Sequence, residues 1–271
     1  MTNLTHVLKE KLFLLVIWLS GGLILSFILL PILQILFSQS ASELINVAAL
    51  PDVKNAILLS LKSAVLTALL AALLGVPLAY SLARKNFPGK GLVEVIVDLP
   101  LAVPHTVAGI ALLFVFGRNG IVGRTASHFG ISFWGTEMGI IVGMLFVSIP
   151  FMVNTARQSF ESVDFRLEKV ARTLGATPAK VFWQISFPLA FRGILTGIGL
   201  TYARSIAEFG AVIVLAYYPE TAPVKIYELF LEGGLRQSSA AAALLLLVTV
   251  STFIFFRYFI KNRSYQSEVK R

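Results

Sequence analysis

The sequence predicts an all-α integral membrane protein of six transmembrane helices, with one structured, charged interruption between the fourth and the fifth. Three observations predict it. The chain of 271 residues is 56% hydrophobic and only 14% charged, with mean hydropathy +0.81, whereas a soluble domain carries about 25% charged residues. Six apolar stretches are long enough to cross a bilayer, since about 20 residues rising 1.5 Å each cover about 30 Å of hydrocarbon. Residues 160–193 break this pattern with three acids, five bases and a Gly-Ala-Thr-Pro turn.

The spans are expected at residues 12–37, 55–83, 92–117, 138–160, 190–216 and 238–260. Their lengths select helices, because barrel strands need only about 9–11 residues. Lys9 and Lys11 precede the first run as in a signal peptide. That run is longer than the 7–15 residues of a signal core, so it reads as a retained span. Residues 1–271 are read as one transmembrane domain, with the charged loop at about 161–189.

Orientation follows from lysine and arginine. One alternating set of loops and tails holds Lys9 and Lys11; Arg84, Lys85 and Lys90; Arg157, Arg166, Lys169, Arg172, Lys180 and Arg192; and Arg257, Lys261, Arg263, Lys270 and Arg271. The other holds only Lys54, Arg118, Arg124, Lys225 and Arg236. Both termini and the charged loop are therefore expected in the cytoplasm, at the cell membrane. The net charge of +9 reflects this topology, and no nucleic-acid partner is expected. Membrane lipid is.

Catalytic signatures are not expected either. With no cysteine, disulfides, thiol catalysis and thiolate metal sites are excluded. His6, His105 and His128 lie far apart in sequence, so no metal site is expected. No phosphate-binding glycine loop occurs. The chain is expected to be no enzyme, to carry no catalytic residue and no cofactor, and not to hydrolyse ATP by itself.

Polar groups within the spans mark a candidate pathway. Gly75 with Pro77, Pro100 with Pro104, and Pro150 disturb their helices. Any one proline is read as a packing kink. The cluster "DLPLAVPHTVAG" at residues 98–109 gathers an acid, two prolines, a histidine and a threonine in one span. Freed backbone groups persist at membrane depth only against protein or a wet cavity, so Pro104, His105 and Thr106 are pathway or gate candidates. Arg204 and Glu208 join them, four residues apart on one face of the fifth span. Pairing lowers the roughly 2.5–3.5 kcal/mol that a lone intramembrane charge costs, and a structural salt bridge would look the same. An arginine fork also suits tetrahedral oxyanions. Glu94, Asp98 and Lys62 are read as interfacial, snorkelling charges.

In the loop, Asp164 is placed to cap a helix whose apolar residues Leu167, Val170, Ala171 and Leu174 recur at helical spacing. Gly175 ends it, and Thr177-Pro178 opens a second helix that Phe187-Pro188 is expected to close. An amphipathic hairpin resting on anionic lipid would share this pattern. Two capped helices around a specified turn describe a rigid knob better, as a docking element for a soluble partner would need.

This run resembles the cytoplasmic loop of ABC importer membrane subunits, Glu-Ala-Ala, three residues, Gly, nine residues, Ile-x-Leu-Pro. Ala171, Gly175, Ile185 and Pro188 match; Lys169, Val170 and Phe187 depart, and Glu168 stands one position early. "DLPLAVPHTVAG" and "AEFGAVIVLAYYP" are similar to the molybdate, tungstate and sulfate permeases, the archaeal-type tungstate/molybdate form most of all. The resemblance implies a type I ABC importer permease. It would pair with a second copy of itself, two cytoplasmic ABC ATPase subunits and an external oxyanion-binding protein, and work by alternating access. It implies ATPase coupling through Glu168, Lys169, Ala171, Arg172, Gly175, Ala176, Thr177 and Pro178. The alternatives are a sulfate-type permease or, in another class, a stand-alone secondary transporter or channel.

Overall fold

The computed structural model describes residues 2–268. The C-terminal residues Lys270 and Arg271 lie outside them, as do the side chains of Arg257, Lys261 and Arg263. In chain order come α1 (Thr2–Phe37), α2 (Ala41–Ala49), α3 (Pro51–Arg84), α4 (Lys90–Ala102), α5 (His105–Phe116), α6 (Ile121–Ser127), α7 (Glu137–Glu161), α8 (Phe165–Thr173), α9 (Pro178–Val181), a π-helical turn (Phe182–Ser186), α10 (Phe187–Ile206), α11 (Gly210–Leu215) and α12 (Ala222–Glu268). The described residues contain five long apolar helices, or six spans when α4 and α5 are taken as one bent crossing.

The core is the α3–α7–α10 trio. Small residues let these helices approach closely, as membrane helices require where burial alone supplies no driving force. Ala71, Ala79, Ala156 and Ala190 pack there with Leu82, Met152 and Phe160. A β-carbon added at Gly75 would sit 3.2 Å from Met152. Pro77 and Pro150 lie inside continuous helices, so these two are packing features. By contrast α1 buries none of its apolar window, as a lipid-facing helix should.

Two expected spans are broken. The third bends by 115° between α4 and α5. Pro104 supplies no N–H to continue the ladder and holds its predecessor Val103 extended (ψ 128°). The pair's contacts nonetheless run along α7 and the loop before it. Glu94 bonds Arg157, Asp98 accepts from Asn154 at 2.6 Å, Leu112 packs by Val147, and Phe116 meets Phe133. The fifth span, expected unbroken over 190–216, stops at Ile206 and restarts as α11. Its backbone leaves helical geometry at Ala207 and Phe209.

Two further boundaries differ from expectation. Phe187-Pro188 does not close the second loop helix. The widened turn at residues 182–186, in which the Phe187 N–H reaches the Phe182 carbonyl, makes room for a proline ring that would clash in a regular helix. The chain runs on into α10. The last helix begins at Ala222 rather than near 238, and Gly234, at φ 65°, supplies its kink.

Candidate functional site

Two places gather the expected residues. The first is where the two broken spans touch. An added β-carbon at Gly109 would sit 2.9 Å from the Ala211 carbonyl, and one at Gly210 would sit 2.6 Å from His105 Cβ. Only glycine permits this approach of α5 to α11. The contact lies near mid-height, because Ser205 bonds Ser148 at 3.0 Å, near the middle of the 25-residue α7.

At this contact Glu208 is fully buried. It accepts from Arg204 Nη2 at 2.8 Å and from the Ala211 N–H at 2.9 Å, and His105 Nδ1 lies 3.1 Å from it. The Arg204 nitrogen also lies 2.9 Å from His105 Nδ1. Arg204 and Glu208 are thus paired as their spacing predicts, although Glu208 stands beyond the helix end rather than within it. His105, an isolated candidate in sequence, completes the cluster. The other side of the cluster remains open, with the Arg204 side chain 22% and that of His105 41% exposed. Pro104 and Thr106 flank His105 and are exposed.

The second place is the charged loop. Asp164 caps α8 by accepting from the Arg166 N–H. A Schellman turn ends it: Ala176 N–H reaches the Ala171 carbonyl and Gly175 N–H that of Arg172. Gly175 takes φ 86°, with open space around its α-carbon. Thr177 caps α9 through the Lys180 N–H, and Pro178 fills the first turn. Leu167, Val170 and Leu174 are exposed, Leu174 by 83%. Exposed Arg166, Lys169 and Arg172 surround them; Ala171 and Ala176 are half-buried. Lys169 also lies over the Phe165 ring.

Glu168 is the exception. Unlike the exposed residues expected to couple alongside it, it is buried beneath α8. Its Oε1 accepts from Arg84 Nε at 2.6 Å and Ser186 Oγ at 2.8 Å, and its Oε2 from Tyr80 at 3.4 Å. Arg84 Nη2 donates to the Val163 carbonyl at 3.0 Å. The helical spacing of Leu167, Val170 and Leu174 marked one face correctly, but gave no sign that this face turns outward. Arg84, Tyr80 and Ser186 were not singled out in sequence; only their partner's glutamate character could have pointed to them. Glu94 and Lys62 pair with Arg157 and Glu137.

Residues 73–265 match the family model described as the binding-protein-dependent transport system inner membrane component. The chain is 42% identical over 246 residues to a molybdate/tungstate transport system permease protein, WtpB, of Thermococcus kodakarensis, covering 90% of this chain and 94% of that one. It is 38% identical to the protein of the same description from Methanocaldococcus jannaschii, over 89% and 94% of the two chains. Its fold matches a chain of a bacterial ABC transporter involved in the import of the acidic polysaccharide alginate, with TM-score 0.74 at 19% identity, over 93% of this chain and 96% of that one.

Proposed function

The chain belongs to the family of binding-protein-dependent transport system inner membrane components, and from that premise we propose that it is the pore-forming subunit of an ATP-driven importer for molybdate or tungstate. The knob of α8 and α9 carries this reading. A rigid, capped turn that exposes Leu167, Val170 and Leu174 within a basic rim has the form of a dock for a soluble protein, and a stand-alone transporter needs none. The names of the relatives support the oxyanion class.

One permease domain would pair with a second copy. Charge at mid-height faces protein or water rather than hydrocarbon, so the open side of Arg204 and His105 is read as facing the partner copy across the pathway. Glu208 keeps Arg204 partly neutralised, which suits a pathway that must attract an anion without retaining it. ATP hydrolysis resides in two cytoplasmic ATPase subunits whose closure displaces the knobs. An external binding protein selects the anion. Both termini and the knob lie in the cytoplasm.

Uptake into vesicles holding this chain, its ATPase and its binding protein tests the reading. ATP-dependent uptake of molybdate or tungstate, with sulfate excluded, is expected. Preference for sulfate would make it a sulfate-type permease, and uptake without the ATPase would make it a stand-alone transporter. Cysteine labelling checks orientation: Ala179→Cys should react from the cytoplasm and the exposed Tyr218→Cys from outside.

A further inference from the structure

Docking on the exposed knob leaves Glu168 without a task, since it points the other way. We infer that Glu168, held by Arg84, is the positioning residue that carries displacement of the knob into the helix core. The inference rests on the reading of α8 and α9 as the ATPase dock.

The first observation is the inversion of α8, which buries only Glu168 and exposes Leu167, Val170 and Leu174. A helix that needed only anchoring would bury its leucines and leave its carboxylate in water. The second is what the carboxylate reaches. Arg84 is the last residue of α3, and Tyr80 lies one turn before it. Ser186 ends the π turn that leads into α10. Through Arg84 the link extends to the Val163 carbonyl, just past the end of α7. Glu168 and Arg84 together therefore tie α8 to α3, to the turn that leads into α10 and to the backbone just past α7.

The link is sealed, with side chains of Arg84 and Glu168 exposed by 9% and 5%. Apolar surfaces can slide past each other at little cost, whereas charge-assisted bonds are short and directional. Separating them here strands a charge away from water. α8 and α3 consequently move together. The cations available to a docked partner are the outward Arg166, Lys169 and Arg172, so Glu168 has no contact to offer it.

The test uses the assembled importer in vesicles. Glu168→Gln keeps the side chain's shape and its capacity to bond Ser186 and Tyr80, and removes the charge. The ATPase should still co-purify and hydrolyse ATP, while ATP spent per anion imported rises about tenfold, a size that coupling between sites commonly reaches. Arg84→Lys should retain more coupling than Arg84→Gln. Should Glu168→Gln fail to fold, the apolar pair Glu168→Leu with Arg84→Met preserves volume, and such replacements keep folds intact; it should dock the ATPase and uncouple. An unchanged ATP-to-anion ratio in a variant that docks normally overturns the inference. So does loss of docking in a folded variant, which would make Glu168 a shaper of the dock. Failure of the ATPase to bind the unaltered chain would instead sink the docking reading itself.

Discussion

Two of the arginine–carboxylate pairs among the described residues, Arg84–Glu168 and Arg204–Glu208, are built in opposite ways. Arg84 and Glu168 come from elements 84 residues apart in sequence, and both are enclosed. Arg204 and Glu208 are neighbours on one stretch of chain, and only the carboxylate is enclosed. In the first pair the surrounding groups, Tyr80, Ser186 and the Val163 carbonyl, complete the bonding of both partners. In the second, the Ala211 N–H serves Glu208 while Arg204 and His105 face outward. The same chemistry serves shape where it is sealed and presents positive charge where it is open.

The largest expected effect comes from breaking the sealed pair. Arg84→Ala leaves the Glu168 carboxylate buried and unmatched, a change that costs about 3–5 kcal/mol in comparable sites. Thermal unfolding in detergent should show a large drop, partly restored by adding Glu168→Ala. Arg204→Ala should destabilise less, by about 1–3 kcal/mol, because His105 and Ala211 still serve Glu208. Here uptake separates the roles: if Arg204 and Glu208 are only structural partners, the double alanine variant regains stability and transport together. A stable but transport-dead double variant assigns the pair to the pathway.

Gly175→Val disturbs neither pair and should lower unfolding stability only by the local strain at this residue. Its left-handed backbone conformation costs a side chain about 1–2 kcal/mol locally, enough to distort the knob. Weakened ATPase co-purification is expected; normal association with normal uptake would remove the dock from this loop. A valine would be harmless on a knob that merely rests on lipid.

The smallest effect concerns an exposed carboxylate that serves as control. Glu43 forms a capping box with Ser40 at the start of α2. The Ser40 N–H first, and its hydroxyl second, hold the Glu43 carboxyl below the usual range. A lowered value stabilises the folded form above the ordinary carboxylate pKa of about 4.3, and that contribution is lost as pH falls through the lower folded value. Ser40→Ala should therefore speed amide exchange at Glu43 and Leu44 at pH 7. The difference from the unaltered chain should shrink under acid.

The six spans, the caps at Asp164 and Thr177 and the turn at Gly175 were legible in the sequence, because each rests on local chemistry: apolar length, a side-chain acceptor, a left-handed residue. The pairing of Arg204 with Glu208 was legible for the same reason, as a contact four residues long. The breaks were legible only in part. Pro104 announced one, but nothing within residues 207–209 announces the other, which depends on α11 packing against α5 through Gly109 and Gly210. His105 joined the cluster through that same packing. The burial of Glu168 was not legible, because its partners come from α3 and the π turn, contacts that no helical spacing encodes. Residues 222–237 read as loop because their helix is too polar and too interrupted by Gly233 and Gly234 to resemble a span.

The π turn has a mechanical consequence. Because it lets Pro188 pass without a break, one continuous rod runs from Pro178 in the knob to Ile206 beside the mid-height cluster. Its span from Pro178 to Arg204 is about 40 Å at helical rise. A lever of that length turns a tilt of about 5° at the knob into a displacement of about 3 Å at the Arg204 end, comparable to the length of one hydrogen bond. A small rotation at one end is then enough to separate or close the contacts between Arg204, His105 and Glu208 at the other.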